Sequence, residues 1–347
     1  MFSIVTTQKI IEKLYPEDSV WGNIVAQTKC FYVKLDSYWW KEDDTPLSDL
    51  YRNGAQIIDS ADLFEDLNKH PEVIANYPTS VFILDIEEKE ARQLQQKYGV
   101  IIQSFSNLDD AILTSVSKKT IFTEEGETGI GWFDVLAGVR NLPANAIIIN
   151  DRNLFTNDEI LVDKAGNLVE KKLNGVDNVY NILNALLPRT LDVPFHVLIV
   201  CEKAGIENHL TVKKVGGYLT KVRNQLNRPY HVAMELLAIS RDSALFSDSH
   251  NRRVLTNYGL LTFEYKVNAF EGRTSRSTQM ITVNKLFSHD NIREISPFEK
   301  NHRRIIKDLK EYAAYVKDNP KLAEHEFYKS GYAGLKFDQT EHRMIIK

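Results

Sequence analysis

The chain has 347 residues, of which 43% are hydrophobic and 26% charged, a composition typical of a globular protein long enough for two domains. Its longest apolar runs, such as VLIVC and AIII, are too short to cross a bilayer, and the N-terminal stretch lacks the apolar core of a signal peptide. Cys30 and Cys201 have no partner motif nearby, which argues against a disulfide framework or a zinc knuckle. We therefore expect a cytoplasmic protein without a transmembrane segment.

Charge is unevenly distributed along the chain. Residues 1–130 contain 12 lysines and arginines against 22 aspartates and glutamates, whereas residues 201–311 contain 19 against 12. The formal net charges of these two segments are therefore −10 and +7. A basic C-terminal half beside an acidic N-terminal half favours contact with a polyanion or with an acidic partner, and two separately solvated surfaces are the alternative.

The first third of the chain predicts one βαβ unit. Residues 80–86 (SVFILDI) are typical of a buried strand, residues 87–99 of a helix that ends at Gly99, and residues 100–105 of a second strand. Such a unit requires a parallel sheet. The Gly-rich, acidic segment 123–132 is the best candidate for a domain boundary, since its glycines lack the context of a nucleotide-binding loop.

The second region predicts alternating strands and helices and then a run of strands. The expected elements are a strand at 146–152, a helix at 175–188, a strand at 195–202, a helix at 216–227, a strand at 230–240, a hairpin at 252–265 that turns at Tyr258-Gly259, and a strand at 279–283. This order predicts an α/β sandwich with a mixed sheet.

A third piece begins near residue 296. Ser296, Pro297 and Glu299 form the pattern of a helix start with a capping box, and the following helix has a basic outer face. The predicted organisation is therefore an acidic α/β domain over 1–128, an α/β sandwich over 129–295, and a C-terminal basic helix and tail over 296–347.

One set of residues suggests chemistry. His250, Arg252 and Asn257 have the spacing H-x-R-x4-N, and they follow the β-α-β-α-β order predicted above. This arrangement resembles the H-x-K-x4-D signature of the phospholipase D superfamily. The segment HNRRVLTNYGLL is most similar in appearance to the phospholipase D-like domain at the C-terminus of MIT-domain proteins. The resemblance covers about residues 140–287 and implies a phospholipase D-like fold for the second domain.

The resemblance implies a role for each residue of the motif. In that superfamily the histidine is the nucleophile, the lysine holds phosphate oxygens, and a second histidine from another half-site protonates the leaving group. His250, Arg252 and Asn257 are thus the catalytic candidates. Asn257 departs from the pattern, because a neutral amide cannot stabilise an imidazolium ion, and an Asp-to-Asn change in Ser-His-Asp triads lowers turnover about ten-thousand-fold. Residues 1–140 contain no second motif, so a complete two-histidine site would require a homodimer.

Other basic residues are candidate phosphate contacts. Together with Arg252 they are Arg253, Arg273, Arg276, Lys213 and Lys214. Because side chains alternate along a strand, Arg252 and Arg253 are expected to diverge. A solvated hairpin loop is the alternative interpretation of the basic residues between 271 and 279. The histidines at 209, 231 and 289 lack the spacing of a metal site, so no metal and no cofactor are predicted.

These observations predict a protein with a degenerate phospholipase D-like site that binds a phosphate-bearing polymer, with nucleic acid as the expected polymer, or docks to a partner. The acidic N-terminal domain is the expected contact for a protein partner. The resemblance also suggests an accessory component of a bacterial defence or other multi-protein system. Two alternatives stay open at this point: a metal-independent phosphodiesterase or nuclease active as a homodimer, and a purely structural interaction module.

Overall fold

The structure is a computed structural model of the chain. It describes residues 2–15, 17–36, 40–41, 44–110, 119–156, 158–162, 168–207, 210–240, 252–285, 297–319 and 325–346. The predicted α/β class is confirmed, because helices alternate with strands along these residues and the strands form a parallel sheet and a mixed sheet. No helix among them is both long and apolar enough for a membrane span.

The N-terminal part is built on a five-stranded parallel sheet in the order β3-β2-β1-β4-β5. Its strands are β1 (Ser3–Thr7), β2 (Cys30–Lys34), β3 (Gln56–Asp59), β4 (Ser80–Leu84) and β5 (Ile101–Ser104). Its helices are α1 (Gln8–Leu14), α2 (Val20–Gln27), α3 (Pro46–Arg52), α4 (Ala61–Lys69) and α5 (Glu88–Tyr98), with a 3₁₀ turn at Pro71–Asn76. The predicted βαβ unit is confirmed as β4-α5-β5, and Gly99 ends α5 with a left-handed φ of 63°.

A nine-stranded mixed sheet forms the second part, in the order β18-β17-β11-β10-β7-β12-β13-β16-β6. Its strands are β6 (Lys119–Thr123), β7 (Ala146–Asn150), β10 (Phe195–Glu202), β11 (Val232–Ile239), β12 (Arg253–Thr256), β13 (Gly259–Phe263), β16 (Gln279–Lys285), β17 (His325–Lys329) and β18 (Tyr332–Leu335). Strands β7, β10 and β11 run parallel, and every other neighbouring pair is antiparallel.

Short elements and helices complete the second part. Two small hairpins are β8 (Glu159–Val162) with β9 (Leu168–Lys172) and β14 (Phe270–Glu271) with β15 (Thr274–Ser275). The helices are α6 (Trp132–Val135), α7 (Asn174–Leu186), α8 (Lys203–Glu207), α9 (Val212–Leu226) and α10 (Pro297–Asp318), with 3₁₀ turns at Leu136–Gly138 and Phe337–Gln339.

The predicted order of elements between residues 146 and 283 is confirmed, with two differences in detail. Helix α9 begins at Val212 rather than at residue 216, because Thr211 accepts a hydrogen bond from the amide of Lys214 and so starts the helix a turn earlier. The β12–β13 hairpin turns at Asn257-Tyr258, one residue before the predicted turn.

The nine-stranded sheet takes strands from all three predicted domain ranges. Strand β6 lies before the predicted boundary at 128, yet it pairs with β16. Strands β17 and β18 belong to the predicted C-terminal piece, yet β17 pairs with β11. Short edge strands have weak sequence signals, and their place is set by the partner strand that they extend. Residues 119–128 and 325–335 therefore belong with the second sheet.

Two hydrophobic cores cover the two faces of this sheet. Helices α7 and α9 pack on one face, where residues such as Val179, Leu183 and Leu219 are buried. The opposite face packs with helix α10 and with the N-terminal sheet in one continuous core that contains Ile148 and Ile305. The two sheets are therefore parts of one packed body.

Polar contacts join the two sheets at the amino end of β7. The side chain of Asn145 donates hydrogen bonds to the carbonyls of Ala75 (3.2 Å) and Tyr98 (2.8 Å). The buried Tyr258 hydroxyl donates to the carbonyl of Ser80 at 2.5 Å and accepts from the amide of Ile101 at 2.9 Å. Because these groups are excluded from water, each hydrogen bond fixes the position of one sheet on the other.

Candidate functional site

The strand directions bring several sequence-distant polar residues to one end of the nine-stranded sheet. The parallel strands β7, β10 and β11 all end there, and the antiparallel strand β12 begins there, with Arg253 opposite Asn150. Asp151, Arg252 and the segment that follows β13 lie at this end. Ligands of open α/β sheets bind outside the carboxyl ends of the parallel strands, so this end is the candidate site.

Asp151 is the fully buried acid of this end. Its carboxylate accepts hydrogen bonds from the amides of Asn153 (2.9 Å) and Val267 (2.8 Å) and lies 4.0 Å from Nε of Arg252. Burial raises the pKa of Asp151, and the two amide donors and the charge of Arg252 oppose that rise. Asp151 thereby holds both the segment after β13 and the guanidinium of Arg252.

Arg252 lies between the interior and the surface. Nη1 donates a 2.8 Å hydrogen bond to the carbonyl of Glu264, and the guanidinium carbon lies 6.0 Å from the centre of the Tyr265 ring. Nε is buried and makes no hydrogen bond within the described residues. Only 17% of the side chain is exposed, so Arg252 presents part of a fixed guanidinium to solvent.

Tyr265 forms the exposed part of the same arrangement. Its side chain is 58% exposed, and Nζ of Lys266 lies 5.4 Å from the ring centre, so a guanidinium and an ammonium both contact one ring. The backbone amides of Tyr265 and Lys266 both donate to Oε1 of Gln279, at 3.2 Å each, which fixes the turn that carries them. We call Arg252, Tyr265 and Lys266 the Tyr265 cluster.

Two exposed apolar side chains lie toward the sheet edge, but on the other face of the sheet. Met280 pairs in register with Phe122 of the edge strand β6, and their exposed fractions are 37% and 71%. The register places Arg253, Thr262 and Thr282 on one face, and Met280 and Phe122 point to that same face. Arg252 points to the opposite face, so these apolar side chains are not part of the Tyr265 cluster.

The side chains of Arg252 and Arg253 point in different directions and contact different residues. Arg253 is buried, and its charge counteracts the rise that burial causes in the pKa of Asp308 on helix α10. Arg252 instead contacts Asp151 and Tyr265. The divergence expected from strand alternation is therefore present in the structure.

The predicted catalytic residues are not brought together in the described structure. His250 lies outside the described residues. Asn257 follows the far end of β12, five residues beyond Arg252, which corresponds to roughly 16 Å along an extended strand. Asn257 is fully buried where the two sheets meet, so its side chain and that of Arg252 do not share a site.

The side chain of Asn257 makes four hydrogen bonds to described residues. Its Oδ1 accepts from the amides of Asn145 and Ala146, at 3.1 Å each, and its Nδ2 donates to the carbonyl of Gly99 (3.2 Å) and to Oδ1 of Asn145 (3.0 Å). The structure thus gives Asn257 a role in joining the two sheets. A role beside His250 stays a prediction.

The other residues predicted to contact phosphate make their contacts with residues outside the Tyr265 cluster. Arg273 contacts the carboxylate of Asp134 (3.3 Å) and the carbonyl of Gly129, and Arg276 pairs with Glu271 at 3.0 Å. Lys213 and Lys214 are exposed in the first turn of α9. Of the histidines considered for a metal site, His231 is exposed, and those at 209 and 289 lie outside the described residues.

Sequence analysis missed Tyr265, Lys266 and Asp151. A register drawn through the predicted hairpin would have placed Tyr265 beside the start of β12, and the pair Tyr265-Lys266 is itself a visible aromatic-basic signal. Asp151 follows a buried strand, where site residues of α/β proteins often lie. Within the part of the chain that the structure describes, no group of three or more His, Cys, Asp or Glu side chains is arranged to hold a metal ion.

Comparison of the chain with models of known protein families gives no match, and comparison with curated proteins gives none either.

Proposed function

We propose that this protein binds nucleic acid through the Tyr265 cluster, with an unpaired base on the tyrosine ring and phosphates at the two cations. The observation that carries this proposal is an exposed tyrosine ring in contact with both a guanidinium and an ammonium group. Single-stranded nucleic acids are commonly bound by aromatic side chains on which bases stack and by basic side chains along the backbone.

The charge of the segment that carries the cluster supports a polymeric anion as the ligand. The segment 201–311, which contains all three residues of the cluster, has 19 basic and 12 acidic residues and therefore attracts a polyanion. Base stacking is tolerant of sequence, so we expect little sequence preference.

The contacts of Arg252 favour binding over rapid hydrolysis. Part of its guanidinium is occupied by Glu264 and Asp151, and the neutral side chain of Asn257 is bound between the two sheets. The sequence has asparagine at position 257, where the phospholipase D signature has an aspartate whose charge could stabilise an imidazolium. We accordingly propose a phosphate-binding site that retains the cation and has lost most of its hydrolytic power.

Fluorescence anisotropy with labelled single-stranded and duplex DNA and RNA, over a series of salt concentrations, tests the proposal. Tyr265→Ala should weaken single-strand binding by about 1–3 kcal/mol, the usual value for one stacked base. Arg252→Gln should reduce the log-log salt slope by about 0.7 if it meets one phosphate of a single strand. Tyr332→Ala is the matched control, since Tyr332 is 70% exposed on the opposite edge strand β18.

Two results would contradict the proposal. Wild-type protein that binds no nucleic acid at low salt would favour a partner-docking role, and equal losses for Tyr265→Ala and Tyr332→Ala would place binding elsewhere. Metal-free cleavage of the labelled strand by the wild type would instead support the phosphodiesterase alternative.

A further inference from the structure

A cavity lies at the amino ends of the strands of the N-terminal sheet, on the opposite side from the edge at which open α/β sheets usually bind ligands. It has a volume of about 360 Å³, within the range of small-molecule sites. The first residues of four parallel strands line it, together with one face of helix α10 and the segment after the last 3₁₀ turn. These four residues are Ser3, Cys30, Gln56 and Ser80.

Two cations line this cavity. Lys310 enters from helix α10, and Arg343 enters from the C-terminal segment. Neither forms an ion pair with a described residue, and no carboxylate is among the described residues that line the cavity. Nε and Nη1 of Arg343 are buried without a hydrogen-bond partner in the described part of the chain.

Partial burial makes both charges costly to leave uncompensated. It lowers the pKa of Arg343 to about 10 and also lowers the pKa of half-buried Lys310. Arg343 therefore stays protonated at neutral pH. A buried cation without a counter-charge is strongly unfavourable, whereas one paired with an anion through hydrogen bonds is stable. The cavity thus has the electrostatic character of an anion site.

The remaining lining suits an organic body attached to the anion. The rings of Tyr32 and Tyr77 meet edge to face at 5.3 Å, and Ile306 and Met344 supply apolar surface. Aromatic and apolar walls with a few polar groups are typical of small-molecule sites. Neutral donors and acceptors at Gln56 and Ser80 add polar contacts.

We propose that this cavity binds a small organic phosphate monoester, whose dianionic phosphate is neutralised by Arg343 and Lys310 together. A dianion matches two cations better than a carboxylate does, and the planar fork of an arginine binds two phosphate oxygens at once. The site is separate from the Tyr265 cluster, so a small phosphate could regulate the protein without competing for its polymer.

Isothermal titration calorimetry of the full chain with AMP, inorganic phosphate and adenosine tests this site. AMP should bind best, inorganic phosphate more weakly, and adenosine at least tenfold more weakly than AMP. Arg343→Gln and Lys310→Gln should each weaken AMP binding by about 10- to 100-fold, the usual effect of losing a charge-assisted hydrogen bond. Lys317→Gln, an exposed change on the same helix, should have no effect.

Further variants separate this site from the nucleic-acid site and from a folding defect. Tyr265→Ala should leave AMP binding unchanged. Loss of AMP binding in this variant would assign the nucleotide to the Tyr265 cluster and overturn the proposal. Arg343→Met should lose AMP binding yet raise the midpoint of thermal unfolding without ligand, because an unpaired buried charge is removed. If the Arg343 variants do not fold, Lys310→Gln decides alone. No AMP binding by the wild type at millimolar concentration, or unchanged binding in Lys310→Gln, would overturn the proposal.

Discussion

Replacement of Asn257 by aspartate restores the acidic residue of the phospholipase D signature, but the structure predicts a large loss of stability. The Nδ2 group of Asn257 donates to the carbonyl of Gly99 and to Oδ1 of Asn145. A carboxylate supplies neither hydrogen, so two buried acceptors lose their donor. Each such group costs about 1–3 kcal/mol, which gives a loss of about 2–6 kcal/mol.

The neighbours of Asn257 cannot compensate for this change. The side-chain Nδ2 of Asn145 already donates to the carbonyls of Ala75 and Tyr98, so a flip of that side-chain amide would break two other buried hydrogen bonds. The expected loss is a large part of the about 5–15 kcal/mol by which most proteins are stable. Asn257→Asp should therefore unfold at much lower denaturant concentration than the wild type.

Equilibrium unfolding in guanidinium chloride, followed by tyrosine and tryptophan fluorescence, measures the effect. Burial should raise the pKa of the introduced carboxyl group above its ordinary value, so its proton is lost from the folded state only at higher pH. The stability deficit should thus shrink as the pH falls and grow as the pH rises through that folded-state pKa. Asn224→Asp, an exposed control on α9, should change stability by no more than about 0.5 kcal/mol. A variant as stable as the wild type at neutral pH would refute this reasoning.

Three further predictions concern stability. Tyr258→Phe should lose about 1–3 kcal/mol for each of the two backbone groups left unpaired, measured by denaturant unfolding, and an unchanged midpoint would contradict the contact between the sheets. Gly216→Ala should destabilise the fold, because a Cβ there would lie 2.5 Å from the Tyr328 ring, whereas Gly217→Ala has open space and should stabilise α9 by roughly 0.5–1 kcal/mol. Burial lowers the pKa of His342 to about 4, so the wild type should lose stability as the pH falls below the ordinary value of about 6.5, and the thermal midpoint of His342→Gln should fall less over that window.

The elements that sequence predicted well are those with a strong local signal. Strand β10 contains the apolar run VLIVC without alternation because both faces of its sheet are covered, and α5 ends at a glycine that adopts a left-handed conformation. Strands β6, β17 and β18 have no such signal, because each is short and lies near a sheet edge. Their place depends on which strand offers a free edge, and that is a property of the completed sheet.

The candidate site was predicted less well for a similar reason. The H-x-R-x4-N spacing drew attention to Arg252, but spacing along a strand cannot show that Asn257 lies at the other end and serves the contact between two sheets. The hairpin turns one residue earlier than predicted, which shifts the pairing by two residues, so Arg253 lies opposite Thr262 rather than Glu264 while side chains keep their faces. The contact between Tyr265 and Arg252 is therefore made beyond the end of β13, where the side chain of Gln279 holds the backbone of Tyr265.

Photocrosslinking tests the central claim most directly. A single-stranded oligonucleotide with bromouracil in place of thymine can be irradiated in complex with the full chain, and the crosslinked peptide can be mapped by mass spectrometry. Base stacking on the Tyr265 cluster predicts a crosslink at Tyr265 that is lost in Tyr265→Ala and kept in Tyr332→Ala. Crosslinks confined to residues outside 252–285, unchanged in Tyr265→Ala, would contradict the proposed nucleic-acid site.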